Sequence, residues 1–196
     1  MKTPYPRPVI FFCISLLSAI FFLSVNMCGA AEDYDKIIVQ YQIPDVTLVN
    51  QDGEKVNFRE IINSDKPVIL DFIYGTCTTI CPVLSIGFSH FQKKLGPEIQ
   101  DVRLISISID PDNDTPLVMA EYLERYDAQP GWDFLTGKRE DIFQVMRAFD
   151  AFVTNKMDHS PLTFLHAPED SKWIRINELL SSADLMKEYR LLRKKI

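Results

Sequence analysis

The run from Val68 to Tyr74 is apolar except at Asp71, is rich in β-branched and aromatic side chains, and leads within three residues to Cys77 and then Cys81. Such a run is the pattern of a strand buried on both faces. The stretch after Pro82 places Leu84, Phe88, Phe91 and Leu95 three or four residues apart and stops at Gly96 and Pro97, which reads as an amphipathic helix. A strand covered on both sides that feeds a helix needs a sheet with helices on its faces, and this restricts the chain to an α/β fold. Asp71 is an anomaly in that strand.

The rest of the chain supports the same class. Val46 to Val49 and Lys55 to Asn57, separated by Asn50-Gln51-Asp52-Gly53, predict an N-terminal β-hairpin. Val102 to Ile109 predicts a second central strand. Thr115 can cap a helix that runs to about Tyr126, with Pro116 in its first turn. Trp132 to Leu135 predicts a short strand and Arg139 to Phe149 a helix. Three further strands are expected at Phe152 to Asn155, Leu162 to His166 and Lys172 to Ile176, the last two joined as a hairpin by Pro168, Glu169 and Asp170. A helix from about Ser182 to Arg193 closes the chain, its basic end suited to a helix C-terminus. The expected order is βαβαβα, then an antiparallel pair and a helix, hence a mixed sheet.

The first thirty residues are a different material. Lys2 and Arg7 are followed by an uncharged stretch from Pro8 to Ala31, apolar over Val9 to Leu23 and ending in Gly29-Ala30-Ala31. That is the design of a secretory signal. It also reaches the ~20 residues that cross a bilayer, so an uncleaved membrane anchor is the second reading, and lipid modification of Cys28 a third. Residues 1–31 are therefore expected to be a signal peptide or N-terminal membrane anchor. Residues 32–196 are expected to form the folded domain, which the 196-residue length allows to be a single one. Its place is then extracytoplasmic, in a periplasm, on the outer face of a cytoplasmic membrane, or in the equivalent organelle compartment. With Lys2 and Arg7 gone, 27 acidic residues face 19 basic ones, a charge of −8. A domain of that sign repels nucleic acid and anionic lipid and suits protein partners.

Cys13 and Cys28 lie in the export segment, which leaves Cys77 and Cys81 in the domain. A disulfide closing so short a loop removes little chain entropy and makes a poor scaffold. A cysteine between a strand and the start of a helix is stabilised as thiolate by unpaired backbone N–H groups and the helix dipole. On a helical segment the four-residue spacing puts both sulfurs on one face. A redox pair, a metal pair and a structural disulfide all fit that spacing; two soft sulfurs select Cu(I), Zn(II) or iron–sulfur chemistry, and an added imidazole is compatible with copper in either oxidation state. Of the three histidines, His90 falls on the helix and His166 in a strand. His159, in the loop Lys156-Met157-Asp158-His159-Ser160, is the best placed third ligand. Met157 could add a thioether, and Asp158 could orient the imidazole.

Four motifs in order resemble the SCO/SenC family of copper proteins over roughly residues 40 to 190: Cys77-Thr78-Thr79-Ile80-Cys81-Pro82; Ser106-Ile107-Ser108-Ile109-Asp110-Pro111 continuing to Asp114-Thr115-Pro116; Trp132 with Leu135-Thr136-Gly137; and Asp158-His159-Ser160. The resemblance implies a thioredoxin-like fold, a central mixed sheet flanked by helices. It implies that Cys77, Cys81 and His159 bind copper, as Cu(I) or Cu(II). The implied activity is delivery of copper to the dinuclear copper site of a cytochrome c oxidase subunit or to another copper protein, or reduction of the thiols there. Where the family usually has proline after its first motif cysteine, this chain has Thr78. Pro161 stands where thioredoxins carry a cis proline, which marks Ser160–Pro161 as the candidate cis bond. A general extracytoplasmic thiol-disulfide oxidoreductase is the alternative, with Cys77 and Cys81 as its redox pair. A thiol peroxidase is a more distant one, suggested by Thr78 three residues before Cys81.

Overall fold

A computed structural model describes residues 34–194. The signal or anchor expected over 1–31 lies outside those residues, and among them no helix is long and apolar enough to cross a membrane.

The elements follow the expected order with a few differences. Strand β1 (Lys36–Gln40) precedes the hairpin β2 (Thr47–Val49) and β3 (Lys55–Asn57), and a short helix α1 (Phe58–Ile62) follows. Then come β4 (Val68–Ile73), α2 (Cys81–Leu95), β5 (Arg103–Ser108), α3 (Pro116–Arg125), β6 (Trp132–Leu135), α4 (Arg139–Ala148), β7 (Thr163–His166), β8 (Lys172–Ile176) and α5 (Ser182–Arg193). Six strands make one sheet in the order β1-β8-β7-β4-β5-β6, and β2 pairs only with β3. The three strands β4, β5 and β6 run parallel, while β7 is antiparallel to β4 and β8, and β1 to β8. This is the thioredoxin-like mixed sheet that was expected.

Every residue of β4 is buried, Asp71 included, as expected of a run that is otherwise apolar. The core beneath it centres on Phe149, whose ring lies 4.8 Å from Tyr41, 5.2 Å from Phe164 and 5.0 Å from Trp173. Tilted and edge-on aromatic pairs of this kind contribute roughly 0.5–1.5 kcal/mol each beyond their area burial. Thr115 caps α3 by accepting from the Val118 amide, and Pro116 occupies the first turn, where its missing N–H is no loss.

Two expectations are corrected. Phe152 to Asn155 forms no strand: Phe152 turns back onto α4, 5.2 Å from the Phe143 ring and with the Arg147 guanidinium 4.4 Å above it. Its apolar side chain is spent on a helix face, and a 3₁₀ turn, Lys156–Asp158, follows. The described residues contain no cis peptide bond, so Ser160–Pro161 is trans. The strand β1 was not anticipated, because its sequence lies mostly exposed on the sheet edge and shows no buried alternation.

Candidate metal centre

The carboxyl ends of β4 and β5 point the same way, and the chain segments that leave them build the site. After Ile73 the loop Tyr74–Ile80 carries Cys77, whose amide donates to the Tyr74 carbonyl at 3.1 Å. Cys81 is the first residue of α2. Both thiols are free and buried, Cys81 completely. The loop is fastened from the β5 side. The Gly75 amide donates to both oxygens of Asp114, at 3.1 and 3.2 Å, and the Ser108 hydroxyl donates to the same carboxylate at 2.5 Å. A Cβ at Gly75 would stand 2.8 Å from Asp114 Oδ1, so the approach requires glycine.

The two sulfurs are inequivalent. Burial raises the Cys77 pKa, but hydrogen bonds from the Cys81 thiol, from the Thr79 and Cys81 amides and from the Thr79 hydroxyl outweigh it and bring the group down to about 7. Burial pushes the Cys81 thiol well up, helped by the hydrogen bond it gives to Cys77 and by the negative charges of Cys77 and Asp71. One proton is thus held at Cys81 while Cys77 is ready to ionise.

Asp71 lies in β4, fully buried, and neither of its oxygens has a hydrogen bond of full geometry. Burial raises its carboxyl to about 7, and the Ser106 hydroxyl, opposite it in the β4–β5 register, offsets only part of that. The Ser106 hydroxyl itself accepts from the Trp132 indole at 3.0 Å.

The loop after α4 supplies the other wall. Lys156 pairs with Asp110 and places its ammonium 5.1 Å from the centre of the Tyr74 ring. The Tyr74 hydroxyl donates to Met157 Sδ at 3.5 Å; burial, then the influence of the nearby Cys77, raises its pKa to about 12. His159, the C-cap of the 3₁₀ turn, is half-buried. Burial lowers its pKa, the Phe72 backbone hydrogen-bonds the ring and partly restores it, and the buried Nε2 has no partner. The residue lines a cavity of about 350 Å³ with Asp158, Ser160, Leu162, Arg175 and Asn177. His90 is exposed on α2. His166 sits at the far end of β7, where Nε2 contacts the Asp170 carbonyl at 2.7 Å and the ring stacks on Trp173.

Cys77 and Cys81 thus interact with each other, whereas His159 lies in the loop after α4 with its ring against the backbone of β4 at Phe72. Among the described residues no three His, Cys, Asp or Glu side chains are already arranged to hold a metal ion. The donor chemistry fits copper: two soft sulfurs, one of them close to ionisation at neutral pH, and a neutral imidazole with a vacant buried nitrogen. The parts that sequence patterns did not assign are the Asp114 latch on Gly75 and the Asp110–Lys156 pair. Both are contacts between distant segments, and periodicity carries no trace of them.

A central mixed sheet with a dithiol between its middle strand and the following helix defines a thioredoxin-like protein of redox or metal chemistry. The chain belongs to the SCO1/SenC family, whose model matches residues 39–191. It is 33% identical over 141 residues to a SCO1 protein homolog of Bacillus subtilis, covering 70% of this chain and 71% of that one. It superposes with a TM-score of 0.66 and 30% identity on BsSco, a Sco family member of cytochrome c oxidase assembly in which a disulfide switch was identified, over 81% of this chain and 96% of that one. It superposes equally, with 26% identity, on copper-bound ScoI of Arabidopsis thaliana, over 76% and 96% of the two chains.

Proposed function

We propose that this protein is a copper-binding assembly factor for cytochrome c oxidase, which holds copper through Cys77, Cys81 and His159 and delivers it to, or reduces the thiols of, the dinuclear copper site. The family supports the oxidase role and the copper-bound relative supports the cargo. What supports the residue assignment is the donor chemistry: two free thiols at one sheet end, and in a nearby chain segment against β4 a neutral imidazole whose buried Nε2 has no partner. Copper supplies a soft Lewis-acid centre that passes between thiolate sites. The chain's own part is to keep Cys77 ionisable, Cys81 close beside it, and the loop around both fastened.

Thiol reduction is the second activity, favoured by the opposite displacement of the two cysteines. Cys77 thiolate attacks one sulfur of a partner disulfide and the other partner sulfur leaves as thiolate. Cys81, after losing its proton, attacks Cys77 Sγ and releases the first partner sulfur. The partner gains two electrons and the chain keeps a Cys77–Cys81 disulfide. A peroxidase needs Cys81 as its reactive thiolate, and Cys81 is the sulfur that burial keeps protonated. The place of action is extracytoplasmic, with residues 1–31 acting as signal or anchor.

The test is to reduce the 32–196 domain, load it with Cu(I), desalt it and measure copper per chain beside Cys77→Ala, Cys81→Ala and His159→Ala. Retention by the unaltered domain, loss in either cysteine variant and weakening in His159→Ala is the expected result. No retained copper together with reversible disulfide formation would leave the reductase alone.

A further inference from the structure

The segment between α4 and β7 carries His159 and contains the short 3₁₀ turn Lys156–Asp158. In that turn the Met157 amide donates to the Asn155 side chain at 3.1 Å, the Asp158 amide to the Asn155 carbonyl at 2.9 Å and the His159 amide to the Lys156 carbonyl at 3.3 Å. The backbone of His159 therefore goes where Lys156 goes. The Lys156 side chain is held from two sides: its ammonium pairs with Asp110 and stands 5.1 Å from the centre of the Tyr74 ring, in the cysteine loop.

Asp110 is itself fixed. Its carboxylate accepts from the Asn113 side-chain amide at 2.9 and 3.0 Å, its backbone amide donates to the Ser108 hydroxyl at 3.0 Å, and its side chain is only 12% exposed. The same Ser108 hydroxyl donates to Asp114, the carboxylate that receives the Gly75 amide. One turn, Ser108 to Asp114, thus holds the cysteine loop through Asp114 and the histidine loop through Asp110. A partly buried pair with these added hydrogen bonds is worth more than a freely exposed one.

We infer that Lys156 is a positioning residue of the copper site, which clasps the His159 turn to the support that carries the cysteine loop. The inference rests on the copper reading above. Among the described residues no three donors already stand in a ligating arrangement, so copper has to draw the imidazole and the two sulfurs together. With the turn clasped, that approach costs side-chain rotation and small shifts. With the turn loose, binding must also order its backbone, and the affinity falls by that cost. Lys156 acts through His159 and not as a ligand, because an ammonium has no lone pair to give.

The experiment measures Cu(I) affinity of the 32–196 domain by competition with a chromophoric Cu(I) chelator, for Lys156→Leu, Lys156→Gln and Lys156→Arg, each with His159 present and in a His159→Ala background. With His159 present, Lys156→Leu and Lys156→Gln are expected to weaken Cu(I) by about tenfold, and Lys156→Arg, which keeps the charge, to stay within about threefold. In the His159→Ala background all three are expected to change affinity by less than about twofold, since the residue they position is gone. X-ray absorption at the copper edge gives a second readout: Lys156→Leu should lose imidazole scattering and keep that of two sulfurs. The position is partly exposed, and Lys156→Gln serves should Lys156→Leu not fold. Affinity unchanged in Lys156→Leu and Lys156→Gln, or lost equally in both backgrounds, overturns the positioning role and leaves the copper reading standing. A parent domain that holds no Cu(I) overturns both.

Discussion

Cys77 and Cys81 are chemically the same side chain, and their surroundings separate them. Thiolate absorbance followed against pH should show one cysteine ionising near pH 7 and the other far above it. Cys81→Ala should move the Cys77 transition upward, because the S–H donor to Cys77 is lost. A transition that stays in place would show that the amides and Thr79 suffice. Asp71 has its own pH signature. Its carboxyl ordinarily titrates near 3.8 and in the fold near 7, so between those values the folded chain keeps a proton that the unfolded chain gives up. Stability therefore falls as pH rises through that window, by up to ~1.4 kcal/mol per pH unit, and levels off above it. Asp71→Asn should be more stable than the parent above about pH 7, with the gain shrinking toward pH 4, as chemical denaturation across that range would reveal. The sequence pointed to Asp71 as out of place in a buried strand. Its consequence for Cys81 needed the fold.

Elements were legible where burial gives a period. The apolar run of β4 on either side of Asp71, the three-and-four spacing of α2 and the Thr115-Pro116 start of α3 each state their structure locally. The site was partly legible in the same way, since the spacing of Cys77 and Cys81 across a strand-to-helix junction already pairs them. Phe152 misled because aromatic content does not say whether a side chain faces a sheet or a helix. The trans Ser160–Pro161 bond shows that a position matched by analogy does not transfer its backbone state. At this scale the Gly75 latch is the sensitive joint. Gly75→Ala forces a methyl onto Asp114 and Val118, and should destabilise the domain by roughly 1–3 kcal/mol in denaturant titration while changing the rate at which Cys77 is alkylated. Thr115→Ala, which removes only a cap, should cost about 1 kcal/mol and leave that rate alone.

For the molecule as a whole, the hidden anchor is Glu188. It is buried on α5, accepts from the Tyr34 hydroxyl at 2.7 Å and from Lys36 Nζ at 3.0 Å, and so binds the start of the described chain to its last helix. Glu188→Ala should lower the unfolding midpoint, at a cost of roughly 1–3 kcal/mol for the two hydrogen bonds to its carboxylate that are lost. Register then places that start. Lys36 pairs with Ile176, Ile176 with Thr163 and Thr163 with Asp71, so β1 begins at the end of the sheet that carries the cysteines. Arg193, at the close of α5, faces Glu98 and Asp101 just ahead of β5, at the other end. The two termini of the described chain are therefore unequal handles. A domain fixed to a sensor surface through its C-terminal side presents the dithiol outward, whereas one fixed through its N-terminal side turns it toward the support and slows every reagent or partner that must reach it.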